Sequence, residues 1–296
     1  MPQPNLSHLT LFASVARHNS FQRAAAEAQM STSAVSHAIR GLEERLGVPL
    51  FNRTTRSVAL TEAGRRLLER LQPALRDVGD ALEELNSFRV TPTGVLKINT
   101  PRPAAQIVIA PLMQRFLTAY PDIQLEIVAE DSLVDIVASG FDAGVRLYES
   151  VPEDMVAVHI GQPCRMVVVG TPAYFEAHGV PQHPIDLMQH ACIRFRFTSG
   201  RVFKWEFERD GLAFDVDVPG RITLGDQDLM LRAALDGLGP AFVFEELVGA
   251  ELADGRLVRV LEEWCPSFPG FMLYYPRQRR MSSALRAFID MARVAA

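Results

Sequence analysis

The first fifty residues contain three short amphipathic segments, and this pattern is the strongest constraint on the fold. Each segment follows a side chain that can cap a helix: Ser7 for a helix over residues 5–17, then Ser20 and Ser31 for the next two. Gly47 and Pro49 end the third segment, as a glycine and a following proline commonly do. Each segment has one apolar stripe, which predicts a shared core of Leu9, Phe12, Ala13, Ala16, Phe21, Ala24, Ala25, Ala28, Val35, Ile39, Leu42 and Leu46.

A basic turn between two strand-like pieces follows the third helix. The pieces are residues 50–53 and 58–60, and the turn is Thr54-Thr55-Arg56. Three helices and a small hairpin predict a winged helix-turn-helix domain over residues 1–61. In this motif the second helix enters the major groove, and its N-terminal residues meet base edges.

The polar face of the third helix is the first candidate functional surface. Its side chains are short near the helix N-terminus and carry donors and acceptors suited to base edges. The basic turn suits phosphate or minor-groove contact. A solvated polar face is the alternative interpretation for this helix alone. The predicted DNA-binding residues are Ser31, Thr32, Ser33, Ser36, His37, Arg40, Arg53, Thr54 and Arg56.

The charge distribution also separates the head of the chain from its body. Residues 1–70 contain nine arginines and five carboxylates, whereas the remaining residues contain 21 basic and 30 acidic side chains. A basic head on an acidic body indicates that only the head meets a polyanion.

A longer helix is predicted over residues 62–90, with Thr61 as its cap. Its apolar residues are spaced three and four apart, which is a heptad seam that needs a second helix to cover it. A helix that lies on its own domain is the alternative. Pro73 should bend the helix. The seam consists of Leu68, Leu71, Leu75, Val78, Leu82 and Leu85.

From residue 91 onward, apolar strands alternate with helices, including one helix expected near 133–138. Such alternation predicts mostly parallel sheets that are covered on both faces by helices. The whole chain is therefore multidomain, with an α/β region after the winged helix-turn-helix and the long helix.

Residues 6–64 resemble the LysR-type transcriptional regulators. The resemblance is carried, in order, by Leu9, Phe12, Ser20, Phe21, Ala24, Ala25, residues 31–36, Ile39, Leu42, Glu43, Leu46, Gly47, Leu50, Phe51, Arg53, Leu60, Thr61, Ala63 and Gly64. The family often has Gln-Pro where this chain has Thr32-Ser33, and Arg or Gln where it has His37. The resemblance implies a dimerising linker helix over 62–90. It also implies an effector-binding domain over 91–296, similar to a two-lobed periplasmic binding protein, with lobe I at 91–163 and 267–296 and lobe II at 164–266.

Small ligands bind between such lobes, where strand ends and helix N-termini converge. Arginines at these positions would suit a carboxylate, so we expect an anionic effector. Salt bridges or helix capping are the alternative roles, and packing is favoured for Phe195. The predicted effector-binding residues are Thr100, Arg102, Arg146, Phe195, Arg196 and Asp226.

Other chemistry has little support in the sequence. His178, His183, His190 and Cys192 match no zinc spacing, and the three cysteines are far apart, so we predict no metal, no cofactor and buried structural thiols. No GxSxG elbow is present, and we predict no catalytic residues and no enzyme. The N-terminus lacks a basic-then-apolar leader, and no apolar run approaches a membrane span, so we expect a cytoplasmic protein without membrane contact.

The sequence therefore predicts a sequence-specific DNA-binding transcriptional regulator that is modulated by a small molecule. Its expected partners are double-stranded DNA, the effector and further copies of itself in a homodimer or homotetramer, with RNA polymerase as an additional candidate. The alternative is an α/β solute-binding or enzymatic protein with a vestigial helix-turn-helix.

Overall fold

The structure is a computed structural model that describes residues 5–53, 58–86, 91–148, 151–277 and 281–294. The chain divides into two compact units, Met1–Arg89 and Val90–Ala296, called unit 1 and unit 2 below. Within the described ranges, no helix combines the length and the apolar character needed to cross a bilayer.

Unit 1 is a winged helix-turn-helix followed by a long helix, as the sequence predicts. Strands β1 and β2 pair antiparallel, with Phe51 opposite Leu60. The elements in chain order are α1 (Leu6–His18), α2 (Phe21–Glu27), α3 (Thr32–Leu46), β1 (Phe51–Arg53), β2 (Val58–Leu60) and α4 (Glu62–Asn86).

Side-chain caps fix where these helices begin. Ser20 accepts from the Arg23 N–H and Ser31 from the Ala34 N–H, so both predicted caps are confirmed. The predicted Ser7 cap is wrong, because Asn5 holds that position and its Oδ1 accepts from the Ser7 N–H at 3.0 Å. Asparagine caps as well as serine does, so the helix begins one turn position earlier than expected.

The core of unit 1 lies between the three short helices and the hairpin. Phe12, Val35 and Ile39 are completely buried, and the rings of Phe12 and Phe51 lie 5.3 Å apart. The prediction that Leu46 joins this core is wrong, because Leu46 is 43% exposed. It lies in the last turn of α3, beyond the region that the other elements cover.

The first half of α4 packs on this same core. Leu71 is buried, and Leu68 and Leu75 contact the cluster, so the alternative of a helix on its own domain holds for these seam positions. Val78 is 46% exposed, and the side chains of Leu82 and Leu85 lie outside the described part. The helix continues through Pro73; the bend there stays a prediction.

Unit 2 contains two sheets, each with its own helices. The first lobe has a five-stranded sheet in the order β4-β3-β5-β15-β6, and the second a six-stranded sheet built on β11-β8-β12-β7-β13 with β14 beside β7. Its strands are β3 (Gly94–Thr100), β4 (Ile123–Ala129), β5 (Ala143–Leu147), β6 (Met155–Ile160), β7 (Cys164–Gly170), β8 (Ile193–Phe195), β9 (Trp205–Arg209), β10 (Leu212–Val216), β11 (Ile222–Leu224), β12 (Ala241–Phe244), β13 (Val258–Val260), β14 (Ser267–Phe268) and β15 (Phe271–Pro276).

The helices of unit 2 connect these strands and cover the sheets. A π-helical segment, Ala105–Ile109, joins the first two into one continuous helical stretch. The α-helices are α5 (Arg102–Ala104), α6 (Ala110–Ala119), α7 (Pro172–His178), α8 (Gln227–Leu235), α9 (Gly249–Ala253) and α10 (Ser283–Val294).

Both sheets are mixed, so the expectation of mostly parallel sheets is wrong. In the first lobe β3 pairs parallel with β4 and β5, but β15 enters antiparallel between β5 and β6. In the second lobe β7 is antiparallel to β12, β13 and β14. The reason is that strands return from distant parts of the chain and not only through helical crossovers.

The helix expected near residues 133–138 is also absent from the structure, which describes a turn there. Asp135 Oδ1 accepts from the backbone N–H groups of Val137 and Ala138, both at 2.9 Å, and so fixes the turn locally. Leu133, the first apolar residue of the supposed helix, is 77% exposed. A short segment without a buried face lacks the packing that stabilises a helix.

The chain crosses between the lobes at two adjacent places. It passes from β6 to β7 through residues 161–163 and returns from β14 to β15 through residues 269–270. Gly270 has φ +83°, and a Cβ there would lie 2.8 Å from the Gln162 carbonyl oxygen. The two crossings therefore pack side by side, and this close approach requires glycine.

Candidate DNA-binding face and effector cleft

The polar side of α3 is presented outward because its other side is held in the core. Val35, Ile39 and Leu42 are completely buried, whereas His37 and Arg40 are exposed and Ser36 is half-buried. Within the part of the chain that the structure describes, the side chains of His37 and Arg40 have no bonded partner. The helix therefore carries free donors and acceptors on a rigid support.

The N-terminus of α3 is formed by small hydroxylated residues. Ser31, Thr32 and Ser33 are all exposed. The Ser31 hydroxyl caps the helix by accepting from Ala34 N–H at 3.1 Å and lies 3.0 Å from the Ser33 hydroxyl. Short side chains at this end permit the close approach of a large partner, and the helix N-terminus favours a phosphate.

The hairpin is attached to α3 by a residue that the sequence analysis did not single out. Glu43 Oε1 accepts from the backbone N–H groups of Leu50 and Phe51, at 2.8 and 3.1 Å. Arg53 then ends β1, opposite Val58. The Arg53 side chain, Thr54 and Arg56 lie outside the described residues.

A second unpredicted cluster connects α1 to α2. Glu27 accepts hydrogen bonds from Ser14 and from the His18 ring, and pairs with Arg17 at 3.2 Å. Burial alone would raise the pKa of the Glu27 carboxyl, but the bonds to Ser14, Arg17 and His18 outweigh it and lower that pKa. The ionised carboxylate therefore stabilises the contact between the two helices.

In unit 2, three of the predicted effector residues lie where the two lobes meet. Thr100 is completely buried at the end of β3 and donates to the Pro101 carbonyl at 3.2 Å. Arg102 Nη1 donates to Asp226 Oδ2 at 2.7 Å, so a residue of the first lobe pairs with one of the second. Asp226 Oδ1 also accepts from the Leu229 N–H at 3.0 Å and caps α8. The alternative roles of capping and ion pairing are thus both present in the structure.

Arg146 is buried inside β5, where only 4% of it is exposed. Its guanidinium donates to neutral oxygens: Asn99 Oδ1 at 2.6 Å, the Ser132 carbonyl at 2.8 Å and the Val145 carbonyl at 2.7 Å. Its Nε has no partner among the described residues. Burial lowers the pKa of the guanidinium, and the charges of Tyr274, Asp131 and Glu130 partly oppose this.

The other two predicted effector residues contact their own loop. Phe195 packs its ring 5.2 Å from that of Phe197, and the exposed Arg196 donates to the Gly200 carbonyl at 2.9 Å. The structure therefore brings Thr100, Arg102 and Asp226 together, with Arg146 behind them through Asn99. It does not bond Phe195 or Arg196 to this group.

The three cysteines are buried and free. Burial raises the pKa of the Cys192 thiol to about 12, that of Cys164 to about 12, and that of Cys265 to about 11. Thiols of this kind are poor nucleophiles at neutral pH. Among the described residues, no three His, Cys, Asp or Glu side chains are grouped as a metal site would need.

Comparison with known proteins agrees with this architecture. The family described as "Bacterial regulatory helix-turn-helix protein, lysR family" matches residues 6–65, and the "LysR substrate binding domain" matches residues 89–296.

Relatives share the whole length of the chain. The "Uncharacterized HTH-type transcriptional regulator YcaN" of Escherichia coli (strain K12) is 49% identical over 97% of this chain and 94% of its own. The HTH-type transcriptional regulator PgrR of the same organism is 39% identical over 98% and 97%. The solved structure of CrgA, a LysR-type transcriptional regulator from Neisseria meningitidis, has a TM-score of 0.59 at 28% identity and covers 99% of this chain and all of its own. The chain therefore belongs to the LysR family of helix-turn-helix transcriptional regulators, which are DNA-binding proteins modulated by an effector and not enzymes.

Proposed function

We propose that the outward face of α3 reads a DNA operator and that an anionic small molecule in the cleft of unit 2 controls the outcome. The single observation that carries this proposal is the contrast between the two sides of α3. Val35, Ile39 and Leu42 anchor the helix, while His37 and Arg40 are exposed and unpaired among the described residues.

On this proposal, base edges in the major groove are contacted by Thr32, Ser33, Ser36, His37 and Arg40, and Ser31 supports them as the cap. The helix N-terminus and the hairpin residues Arg53, Thr54 and Arg56 would contact phosphates. The positive balance of residues 1–70 supports this division of roles, because phosphate contacts supply most of the affinity for DNA.

LysR-type regulators form oligomers, and we propose a homodimer or homotetramer paired through α4. Val78 supports this interface because a large apolar side chain there is 46% exposed, whereas Leu71 and Leu75 are used within unit 1. A two-fold pair would place two reading helices on a symmetric operator. We propose domain boundaries at 1–61, 62–90 and 91–296, a cytoplasmic location, and RNA polymerase as a further partner.

The effector class follows from the charges in the cleft. Arg102 lies at the meeting point of the lobes, and Arg146 is a buried cation whose hydrogen bonds go to neutral oxygens. A carboxylate is the group that guanidinium donors recognise best. We propose Thr100, Arg102, Arg146 and Asp226 as the inner residues of the site, with Phe195 and Arg196 at its edge. An effector that prefers one lobe arrangement would shift the population toward it.

Fluorescence anisotropy on the DNA upstream of the chain's own gene tests the reading face. His37→Ala and Arg40→Ala should each weaken binding by roughly 5- to 100-fold, because each removes a donor at the bases. Arg286→Ala is the matched control, an exposed arginine on α10, and should leave affinity within about twofold. Arg53→Ala with Arg56→Ala should lower the slope of log affinity against log salt by about 0.9 for each lost phosphate contact.

Equal effects of Arg40→Ala and Arg286→Ala would remove α3 from the reading role. Ligand binding without any DNA affinity would instead favour a solute-binding protein with a vestigial head.

Light scattering tests the oligomer. Val78→Asp should dissociate the pair without unfolding unit 1, because its side chain is outside the core, whereas Leu75→Asp should also destabilise unit 1. An intact oligomer in Val78→Asp would place the interface elsewhere.

A further inference from the structure

The contact between Arg102 and Asp226 joins the two lobes at the mouth of the cleft. Arg102 follows β3 of the first lobe, and Asp226 precedes α8 of the second, 124 residues later in the chain. One turn further along the same helical stretch, Gln106 Nε2 lies 3.3 and 3.4 Å from the two carboxylate oxygens of Asp228. Two neighbouring polar contacts therefore hold the lobes together at one place.

The Asp226 carboxylate is divided between two tasks. Its Oδ1 caps α8 through the Leu229 N–H, which fixes the carboxylate on the second lobe, and its Oδ2 accepts from Arg102 Nη1 at 2.7 Å. On the other side, Arg102 is held by Asp131, whose Oδ1 accepts from the Arg102 backbone N–H at 3.0 Å and whose Oδ2 lies 3.9 Å from Nη1. The guanidinium thus already has carboxylate partners from both lobes.

An anionic ligand would find this guanidinium occupied. The Asp226 carboxylate is chemically equivalent to the group that the ligand would present to Arg102, and two carboxylates on one edge of a guanidinium repel each other. The side chain of Arg102 is 53% exposed and that of Asp226 is 23% exposed. Ion pairs as exposed as this contribute little to stability, so a competing anion can displace one partner.

We propose that the Arg102–Asp226 pair holds the cleft closed without effector, and that the effector opens it by replacing Asp226 on Arg102 with its own carboxylate. This rests on the anionic effector proposed above. It adds the competitor, the residue displaced and the direction of the lobe movement. The exchange is between two anions on one cation, so the only net cost is the difference between the two contacts, and the lobe arrangement responds to that difference.

Electron–electron spin distance measurement on the full-length protein tests the closing contact. Labels are placed at Glu176→Cys on α7 and Asp290→Cys on α10, two exposed positions on different lobes. The native thiols are buried, and label uptake by the chain without added cysteines gives the background. Dilution with unlabelled chain keeps the measured distances within one molecule.

Asp226→Asn should raise the ratio of long to short distances about two- to fivefold, which is the weight of an exposed ion pair. Asparagine can still cap α8, so helix loss is avoided. Arg102→Gln should give the same shift, and the double variant no more than either single one. Asp217→Asn is the control: it breaks a 2.8 Å pair with Arg194 inside the second lobe and should change nothing.

The competition step is tested with acetate as the probe. Sodium acetate should shift the unsubstituted chain toward long distances relative to sodium chloride at the same ionic strength, and should not shift Asp226→Asn further. An unchanged distribution in Asp226→Asn would overturn the closing contact, and an inert acetate titration would overturn the competition. Neither readout uses DNA, so loss of operator binding in the anisotropy experiment overturns the proposed function separately.

Discussion

The outward face of α3 and the cleft of unit 2 contain similar polar side chains but satisfy them in opposite ways. On α3, His37 and Arg40 are exposed and have no side-chain partner among the described residues. In the cleft, Arg102 is paired with Asp226, and Arg146 is bonded to Asn99 and to two backbone carbonyls.

This difference separates two modes of binding. A face that is already free and rigid loses little on binding, so its contacts count almost fully toward affinity. A cleft whose groups are bonded to one another must exchange those bonds, so each ligand contact counts only by its excess over the bond that it replaces. Such exchange lowers affinity but connects binding to a change of conformation. The first arrangement suits recognition and the second suits control.

The largest expected effect concerns the thiols of unit 2, which contains all three cysteines. Cys164 and Cys192 have pKa values raised from 9.0 to about 12, which lowers the thiolate fraction at neutral pH by about 10³. Alkylation by iodoacetamide, followed by mass spectrometry, should be slower than that of an added Glu176→Cys by at least this factor. A native thiol that reacts as fast as the added one would reveal an open reactive group in unit 2 and break the comparison.

Arg146 gives the next largest effect. Arg146→Met would leave the Asn99 Oδ1 and the Ser132 carbonyl without their donor, and buried acceptors without partners are costly. We expect a loss of about 3 kcal/mol in the unfolding free energy of unit 2. Urea unfolding followed by tryptophan fluorescence measures it, because Trp205 and Trp264 both lie in unit 2.

Arg102→Met is the matched control for this variant. Its ion pair is largely exposed, so the same measurement should change by less than about 1 kcal/mol. If both variants lost the same stability, Arg146 would not be a structural centre of the cleft, and the internal bonding of this region would be uniform.

The elements of unit 1 were predictable because their signals are local. Ser20, Ser31 and Gly47 act within four residues of themselves, and each occupies its predicted role. The errors are also local in kind. Ser7 lost its role to Asn5 two residues away, and Leu46 was assigned to the core by spacing although α3 extends past its neighbours.

Unit 2 was harder to predict because its decisive contacts join distant residues. Nothing in residues 271–276 states that they will lie antiparallel between β5 and β6. Positions after strands indicated Thr100, Arg102 and Asp226, but the partners Asn99 and Asp131 are set by the closure of the sheet and not by spacing. The sequence therefore locates the charges of the cleft and leaves their pairing open.

The smallest expected effect tests whether unit 1 is open throughout. Away from the reading face, Glu27 is bonded to Ser14, Arg17 and His18, and these bonds lower its pKa although burial alone would raise it. A depressed pKa means that the ionised group stabilises the fold, fully above the unfolded pKa of about 4.3, and that this contribution disappears as the pH falls through the folded value.

Glu27→Gln should therefore weaken the protection of α1 and α2 amides near neutral pH by less than about 1 kcal/mol, since the pair is partly exposed. Hydrogen exchange with mass spectrometry on peptides from residues 6–27 measures this, and the difference from the unsubstituted chain should vanish in acid. Glu69→Gln on α4 is the control, an exposed carboxylate that should change nothing at either pH. A difference that persists in acid would show that the charge of Glu27 is not what connects α1 to α2. The support behind the reading face would then be held by packing alone, and bonding between charged side chains would be a property of the cleft and not of both units.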